Sequence, residues 1–463
     1  MKCISCGAEI KFDPKLNKLK CNYCNQQFEV DQYENEIKNA DENVVLVNEI
    51  ESKSYTCNSC GATLLTFDDT AITFCSYCGS SMAVEPELYK EGKPDLVIPF
   101  RITKEECEKK YKQKINSLIF APSYMKDKIE ISKFRGIYMP YCIYKFEYHG
   151  IQNNKGSKPS HRSGDYIIYN DYQIACDIDC KYDGISYDIA SNFEDRFGLA
   201  VGPYRLKDAV PFKTGYLSGF YADSRDVDKM LYEEDAKKVA KKYASISMRK
   251  IKEIEKYNAT DNVDLNNTTV MLAYFPVYFL AIKNKKNNLV NYAVVNGHNG
   301  KIVIESPVSF IKYTLFLIGL ALIIFVILNT SLVLKPNSVA IFAIIMSFIT
   351  LIFSNSQLNK LYIRENNLDD KGMSSKTNEN KKRLKKMKFK SKFSKYLYKQ
   401  TIGIILAILI MILNPVEDMY YYGVSIISLL LVLWSFSDLI KQHNELVSRK
   451  FKQLEARGGD ENA

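Results

Sequence analysis

Eight of the twelve cysteines in this 463-residue chain fall into four C-x-x-C pairs, the spacing of metal-binding knuckles. Lys2-Cys3-Ile4-Ser5-Cys6-Gly7-Ala8 recurs as Thr56-Cys57-Asn58-Ser59-Cys60-Gly61-Ala62. Cys21-Asn22-Tyr23-Cys24 recurs as Cys75-Ser76-Tyr77-Cys78 at the same offset of 54 residues. Two knuckles place four thiolates around one tetrahedral ion, and zinc is the metal that suits them. Cys3, Cys6, Cys21 and Cys24 are therefore expected to hold one Zn2+, and Cys57, Cys60, Cys75 and Cys78 a second. Four protein ligands leave no open position for a catalytic water, so both ions are expected to be structural. A redox pair explains one C-x-x-C but not two matched pairs at one spacing.

These ligands need a rigid frame. The 14 residues between the knuckles of each unit suit a short β-hairpin, and Gly7 and Gly61 stand where a backbone with positive φ favours glycine. The spacing predicts small β ribbons over residues 1–30 and 55–84, a linker at 31–54 and a polar hinge at 85–95. Disulfides are disfavoured: the chain is long for a secreted disulfide scaffold, and it opens Met1-Lys2-Cys3 with no apolar run. The head is expected in a reducing compartment.

Charge is unevenly distributed. Residues 1–95 carry 9 Lys+Arg against 16 Asp+Glu, residues 96–308 carry 33 against 26, and residues 309–463 carry 21 against 11. Residues 55–84 have no Lys or Arg, and each Zn2+(Cys−)4 centre adds negative charge. Nucleic-acid binding rests on bases that neutralise phosphates, so it is disfavoured for the ribbons.

Residues 96–308 read as an α+β domain. Leu96–Arg101 suits a strand, Thr103-x-x-Glu106 a capping box, and Cys107, Tyr111, Ile115 and Leu118 one face of a helix. A longer helix is expected over Asp228–Tyr257, with a stripe at Ala236, Val239, Ala240, Tyr243 and Ile254. Tyr172, Ile174, Cys176, Ile178, Cys180 and Tyr182 alternate with polar residues, predicting a strand with one buried face. Gly136–Tyr144 and Ala273–Leu280 each place an aromatic-flanked proline, Pro140 and Pro276, in an apolar run, where a strand start or an edge is expected. Asn296–Lys301 reads as a tight turn with His298 solvated.

Four charge-free stretches follow: Tyr313–Leu334, Pro336–Asn359, Gln400–Val416 and Met419–Ser437. A bilayer core takes roughly 20 apolar residues of helix, which predicts an all-α membrane region of two hairpins at 309–359 and 400–438. The loop 360–399 carries 14 Lys+Arg, and more bases occupy the tail 439–463. The positive-inside rule then predicts a multi-pass plasma-membrane protein with both termini cytosolic. Within the loop, Lys381, Lys382, Arg383, Lys385, Lys386, Lys388, Lys390 and Lys392 lie among aromatic residues. This patch is a candidate contact for anionic lipid, or simply sets topology.

The paired ribbons, the Ile98-Pro99-Phe100-Arg101-Ile102-Thr103-Lys104-Glu105-Glu106 entry, the Gly136–Tyr144 strand and the Asn296–Lys301 turn together resemble an uncharacterised bacterial membrane-protein family. That family is labelled for its transcription-factor-IIB-type zinc ribbon. The resemblance covers most of residues 1–308 and implies zinc and membrane attachment, with no reaction to carry over. Two features depart from it: Asn25 replaces the usual glycine after the last cysteine of the first ribbon, and four membrane segments exceed the usual number.

His149, His161, His298 and His443 are widely separated, and no H-E-x-x-H, G-x-S-x-G or phosphate-loop pattern occurs. No enzyme is expected. The reading is a membrane-anchored zinc-ribbon protein acting as a non-enzymatic interaction scaffold or regulator, with a protein partner. A membrane-tethered nucleic-acid binder is the alternative, and a transport component a third.

Overall fold

The computed structural model describes residues 1–40, 49–68, 72–82, 85–248, 256–258, 267–331, 336–365, 393–413 and 418–449. The chain comprises an N-terminal region with two four-cysteine clusters, a large β-rich domain and a helical C-terminal part. The first ribbon is a three-stranded antiparallel sheet of β1 (Ile10–Asp13), β2 (Lys18–Cys21) and β3 (Gln27–Phe28), followed by α1 (Val30–Ala40). The next four strands are β4 (Glu49–Thr56), β5 (Thr63–Thr66), β6 (Glu87–Gly92) and β7 (Leu96–Val97). They join a larger sheet with β8 (Arg135–Ser163), β9 (Tyr166–Asp188), β10 (Val210–Pro211), β11 (Tyr221–Asp223), β12 (Lys256–Asn258), β13 (Asn267–Lys283), β14 (Val290–Asn296) and β15 (Ile302–Ile304). The expected hinge at 85–95 thus carries β6, which pairs antiparallel with β4.

The centre of the sheet is the antiparallel pair β8–β13, in register from Arg135↔Phe279 to Glu147↔Asn267. The two look-alike segments are therefore partners. Their prolines lie inside strands, not at starts or edges, for a reason visible in the neighbours. Beyond β8, the partner is β11 at Ile137 and Tyr138 and becomes β9 from Tyr141 onward. Beyond β13, the partner is β7 at Ala273 and Tyr274 and becomes β14 from Val277 onward. Pro140 and Pro276 occupy the gaps where the outer neighbour changes, so neither interrupts a continuing ladder with its missing N–H.

Both faces of the centre are covered, which explains its nearly continuous apolar sequence. Ile137, Met139, Tyr141, Phe275, Val277 and Phe279 pack on the side of the second cysteine cluster. Tyr138, Tyr274, Tyr278 and Leu280 pack on the other, against Cys107, Tyr111 and Ile115 of α2 (Lys104–Ser117). The Thr103 hydroxyl and the Glu106 carboxylate form the expected capping box at the start of α2. Three further helices complete the domain: α3 (Lys128–Ile131), α4 (Asp195–Val201) and α5 (Glu233–Met248). α5 is shorter than the helix expected over Asp228–Tyr257, because Lys256–Asn258 is drawn into β12. Ala236 and Ala240 are buried as expected, whereas Tyr243 is exposed and Ile254 lies outside the described residues.

Past Glu147, β8 and β9 continue as a long ribbon, which β12 joins at Lys155–Ser157. The apolar face expected to be buried there is not: Tyr172 is exposed and Ile174 and Cys180 are only partly covered. The Cys176 and Ile178 side chains lie outside the described residues.

The C-terminal part contains α6 (Phe310–Ser331), α7 (Pro336–Glu365), α8 (Phe393–Leu413) and α9 (Asp418–Val447). Two stretches, Ala340–Arg364 and Ile426–Val447, are long and apolar enough to cross a membrane. The apolar stretches Phe310–Leu320 and Thr401–Leu413 are shorter. Among the described residues, two candidate spans are thus found where four were expected. Lys381, Lys382, Arg383, Lys385, Lys386, Lys388, Lys390 and Lys392 lie outside the described residues.

Candidate metal centres

The first cluster forms where the loop before β1 and the end of β2 meet. Cys3 Sγ lies 3.6 Å from Cys24 Sγ, and Cys6 Sγ lies 3.6 Å from Cys21 Sγ. In the second cluster Cys57–Cys78 and Cys60–Cys75 are separated by 3.7 and 3.6 Å. Within each group the four sulfurs lie within 4.8 Å of one another. A disulfide requires about 2.05 Å, whereas a tetrahedron with Zn–S bonds of about 2.3 Å has an edge of about 3.8 Å. The donor set and its spacing therefore fit two metal ions, each held by four thiolates.

The knuckles repeat one backbone device four times. The N–H of the residue that follows each pair's second cysteine turns back to the carbonyl of the first: Gly7 donates to the Cys3 carbonyl at 2.8 Å and Gly61 to Cys57 at 2.8 Å. Asn25 donates likewise to Cys21 and Gly79 to Cys75, each at 3.0 Å. All four have positive φ, +72°, +74° and +70° for the glycines and +58° for Asn25. Asparagine is among the few side-chain-bearing residues that visit this region readily, so the missing glycine changes nothing in the turn.

The two centres differ in their surroundings. All four cysteines of the second are buried, and they share a core cluster with Phe193, Phe275 and Phe279. Strand β5, directly after the knuckle Cys57–Cys60, pairs with β4 on one side and β11 on the other. This ribbon is thus part of the main sheet. In the first centre Cys6 is exposed and Cys24 half-buried. That ribbon docks through the Ser218 hydroxyl on the Ile10 carbonyl (2.6 Å) and the Phe12 N–H on the Ser218 carbonyl (3.1 Å).

The contrast is sharpest at one repeated position. Tyr77 is 3% exposed, its ring tilted against Phe279 and its hydroxyl donated to the buried Asp223 carboxylate. Burial, with Asp223 alongside, pushes its phenol well above the ordinary value. Its counterpart Tyr23 is 81% exposed.

Of the histidines, His298 corrects its expectation. It is buried in the β14–β15 turn, Nε2 lying 2.9 Å from Asp208 Oδ2. The bond to His298 holds the Asp208 carboxyl below its usual range. A depressed carboxylate stabilises the fold above its unfolded pKa and loses that contribution as pH falls through the folded value. Asp208→Asn should therefore flatten the acid limb of the stability curve below about pH 4, its cost being largest near neutrality and fading as pH falls, as measured by thermal unfolding across pH.

Sequence reasoning missed a second polar cluster. Arg449, just beyond α9, reaches Glu194 Oε2 with Nη2 at 2.9 Å and also pairs with Glu305, which in turn meets Arg196. Arg449, Glu194 and Glu305 are all buried. The Arg449 backbone also forms an antiparallel bridge with Val290 (3.0 and 2.9 Å). No spacing signal links residues so far apart in sequence.

The chain is similar to the "Uncharacterized protein YdjG" of Bacillus subtilis (strain 168), at 25% identity over 326 residues, covering 69% of this chain and 93% of that protein. No family model matches the chain. No solved structure matches it.

Proposed function

We propose that this chain is a membrane-attached, zinc-stabilised interaction protein, a non-enzymatic scaffold or regulator whose head lies on the cytosolic face. The observation that carries the reading is the pair Tyr23 and Tyr77. The same knuckle residue that seals the second ribbon onto its own domain is left outward on the first, whose other knuckle also exposes Ile4. An aromatic anchor standing in solvent at a rigid site is the feature that protein interfaces concentrate. Both centres take zinc, consistent with four thiolates apiece.

Membrane attachment is supported by an inverted helix pattern. On α7 the small or polar Ala340, Ala343, Ser347, Thr350 and Ser354 are buried, while Ile341, Phe342, Ile345, Phe348 and Ile352 face outward. A water-soluble helix does the reverse, and small residues at the interface with apolar residues outside suit lipid. Membrane insertion is tested by fractionation: the chain should resist alkaline carbonate and be released by detergent.

Proximity labelling from the first ribbon tests the interaction reading. The wild-type head should enrich a defined protein, and Tyr23→Ala should reduce that enrichment about tenfold, the scale of an aromatic anchor worth about 1–2 kcal/mol. Equal labelling by both would remove the basis of the proposal.

A nucleic-acid reading retains one supporting observation. Lys11, Lys20, Lys104 and Arg135 converge on a cleft of about 460 Å3 between the first ribbon and the β-rich domain. Salt-dependent binding of short DNA or RNA to the detergent-purified chain would favour it over the protein-interaction reading.

A further inference from the structure

A cavity that the ribbons do not touch lies where the β-rich domain meets the helices, with a volume of about 600 Å3. Its walls come from four places. The β13–β14 turn supplies Lys283, Lys285 and Lys286; the segment before α3 supplies Tyr124 and Asp127; the start of α6 supplies Ile311 and Lys312; and the end of α9 supplies Asn444.

The wall is built and not merely a scatter of surface lysines. The Asn284 N–H donates to the Leu289 carbonyl at 2.8 Å and the Asn288 N–H to the Asn284 carbonyl at 2.9 Å, closing the turn. The Tyr124 hydroxyl donates to Asn291 Oδ1 at 2.7 Å. Asn444 clamps the backbone of Val308, accepting from its N–H at 2.7 Å and donating to its carbonyl at 2.9 Å. The chain is thereby fixed immediately before α6.

Charge in the cavity is positive. Four lysines line it against Asp127 and Glu130. Glu130 is already paired with Lys133 at 2.8 Å, and Asp127 caps the Ile129 N–H at 2.8 Å. Among the described residues Lys285, Lys286 and Lys312 have no carboxylate within ion-pair reach. Lys312 donates instead to the Ala121 carbonyl at 2.6 Å. Ile311 of α6 lines the cavity, and Phe310, Leu315 and Phe316 of the same helix are exposed. An occupant must therefore pair an anionic head with an apolar tail.

We infer that this cavity binds the headgroup of an anionic glycerophospholipid, its acyl chains lying along α6. The inference rests on the membrane reading above. It assigns the helix–domain junction a lipid site of its own, independent of the basic stretch 381–392.

The full chain, purified in detergent, is titrated with phosphatidylglycerol or phosphatidylcholine and followed by thermal shift and by lipid retention in native mass spectrometry. Wild type should retain phosphatidylglycerol at least tenfold over phosphatidylcholine, and 1 M salt should weaken this preference. Each lysine near an anionic surface is worth about fivefold. Lys285→Glu/Lys286→Glu, at exposed turn positions, should therefore abolish the preference while leaving the lipid-free melting temperature in place. Lys312→Gln should lower it with no charge reversal. Equal retention of the two lipids, or an undiminished preference in the double variant, overturns the proposal. An equal thermal shift from soluble glycerol phosphate also overturns it, assigning the cavity to a free anion. Carbonate extraction of the wild type into the soluble fraction would instead sink the membrane reading, a separate outcome.

Discussion

Serine at Cys75 is expected to leave no folded β-rich domain, whereas serine at Cys6 should leave the domain standing. Structural zinc in small ribbons contributes on the order of 10 kcal/mol or more, comparable with the whole net stability of a typical domain. Cys75 lies in the core with Phe275 and Phe279, and the strand its ribbon supplies, β5, is held between β4 and β11. Loss of the ion would leave thiols and a hydroxyl buried among aromatic rings, and the sheet would lose one of its members. Cys6 belongs to a surface ribbon with its own three-stranded sheet, so its loss is expected to stay local. Metal analysis should give two zinc ions per wild-type chain and one for Cys6→Ser. Limited proteolysis should cut the Cys6→Ser variant only near its N-terminus. A folded, metal-free Cys75→Ser protein would overturn the assignment.

Arg449→Ala should cost about 3–5 kcal/mol, the usual penalty for removing one partner of a buried ion pair. Glu194 and Glu305, both buried, would then keep the Arg196 guanidinium but lose that of Arg449. The pH dependence has a definite sign. Burial, with Glu194 nearby, pushes the Glu305 carboxyl up to about 8 against the pull of Arg196 and Arg364. A raised carboxyl stabilises most below its unfolded value and loses that contribution as pH rises through its folded one. Without Arg449 the penalty for ionising Glu305 grows, so the deficit should be smallest near pH 5 and largest above pH 8. Thermal unfolding at both values, with Arg449→Lys as the conservative comparison, measures it. A pH-independent deficit would point to lost packing over Phe197 and Tyr292, whose rings the guanidinium covers at 5.5 and 4.5 Å.

What could be read in advance was local. Cysteine spacing specified both thiolate groups because a tetrahedral site has one workable geometry, and Thr103 and Glu106 announced a cap that needs only three residues of separation. The apolar runs around Pro140 and Pro276 marked strands, but their interior position depended on neighbours supplied from distant parts of the chain. His298 looked like any turn residue until Asp208, 90 positions earlier, closed over it. Tyr23 and Tyr77 have near-identical local sequences and opposite environments, a difference that only packing creates. Four charge-free stretches suggested four spans, and among the described residues two are long and apolar enough to cross a membrane. The exposed half of the β8–β9 ribbon shows the same limit: alternation names a face without supplying anything to cover it.

The bridge between Val290 and Arg449 closes a circuit. The polypeptide leaves the sheet from β15, runs through every C-terminal helix and returns to the neighbouring strand β14, with Asn444 gripping Val308 on the way. The helices are thus an insertion whose two ends meet, and the sheet cannot finish until the last of them has been synthesised. Assembly of the head must wait for its hydrophobic passenger, and a short loop spliced between residues 308 and 444 should set that head free as a separate, soluble body.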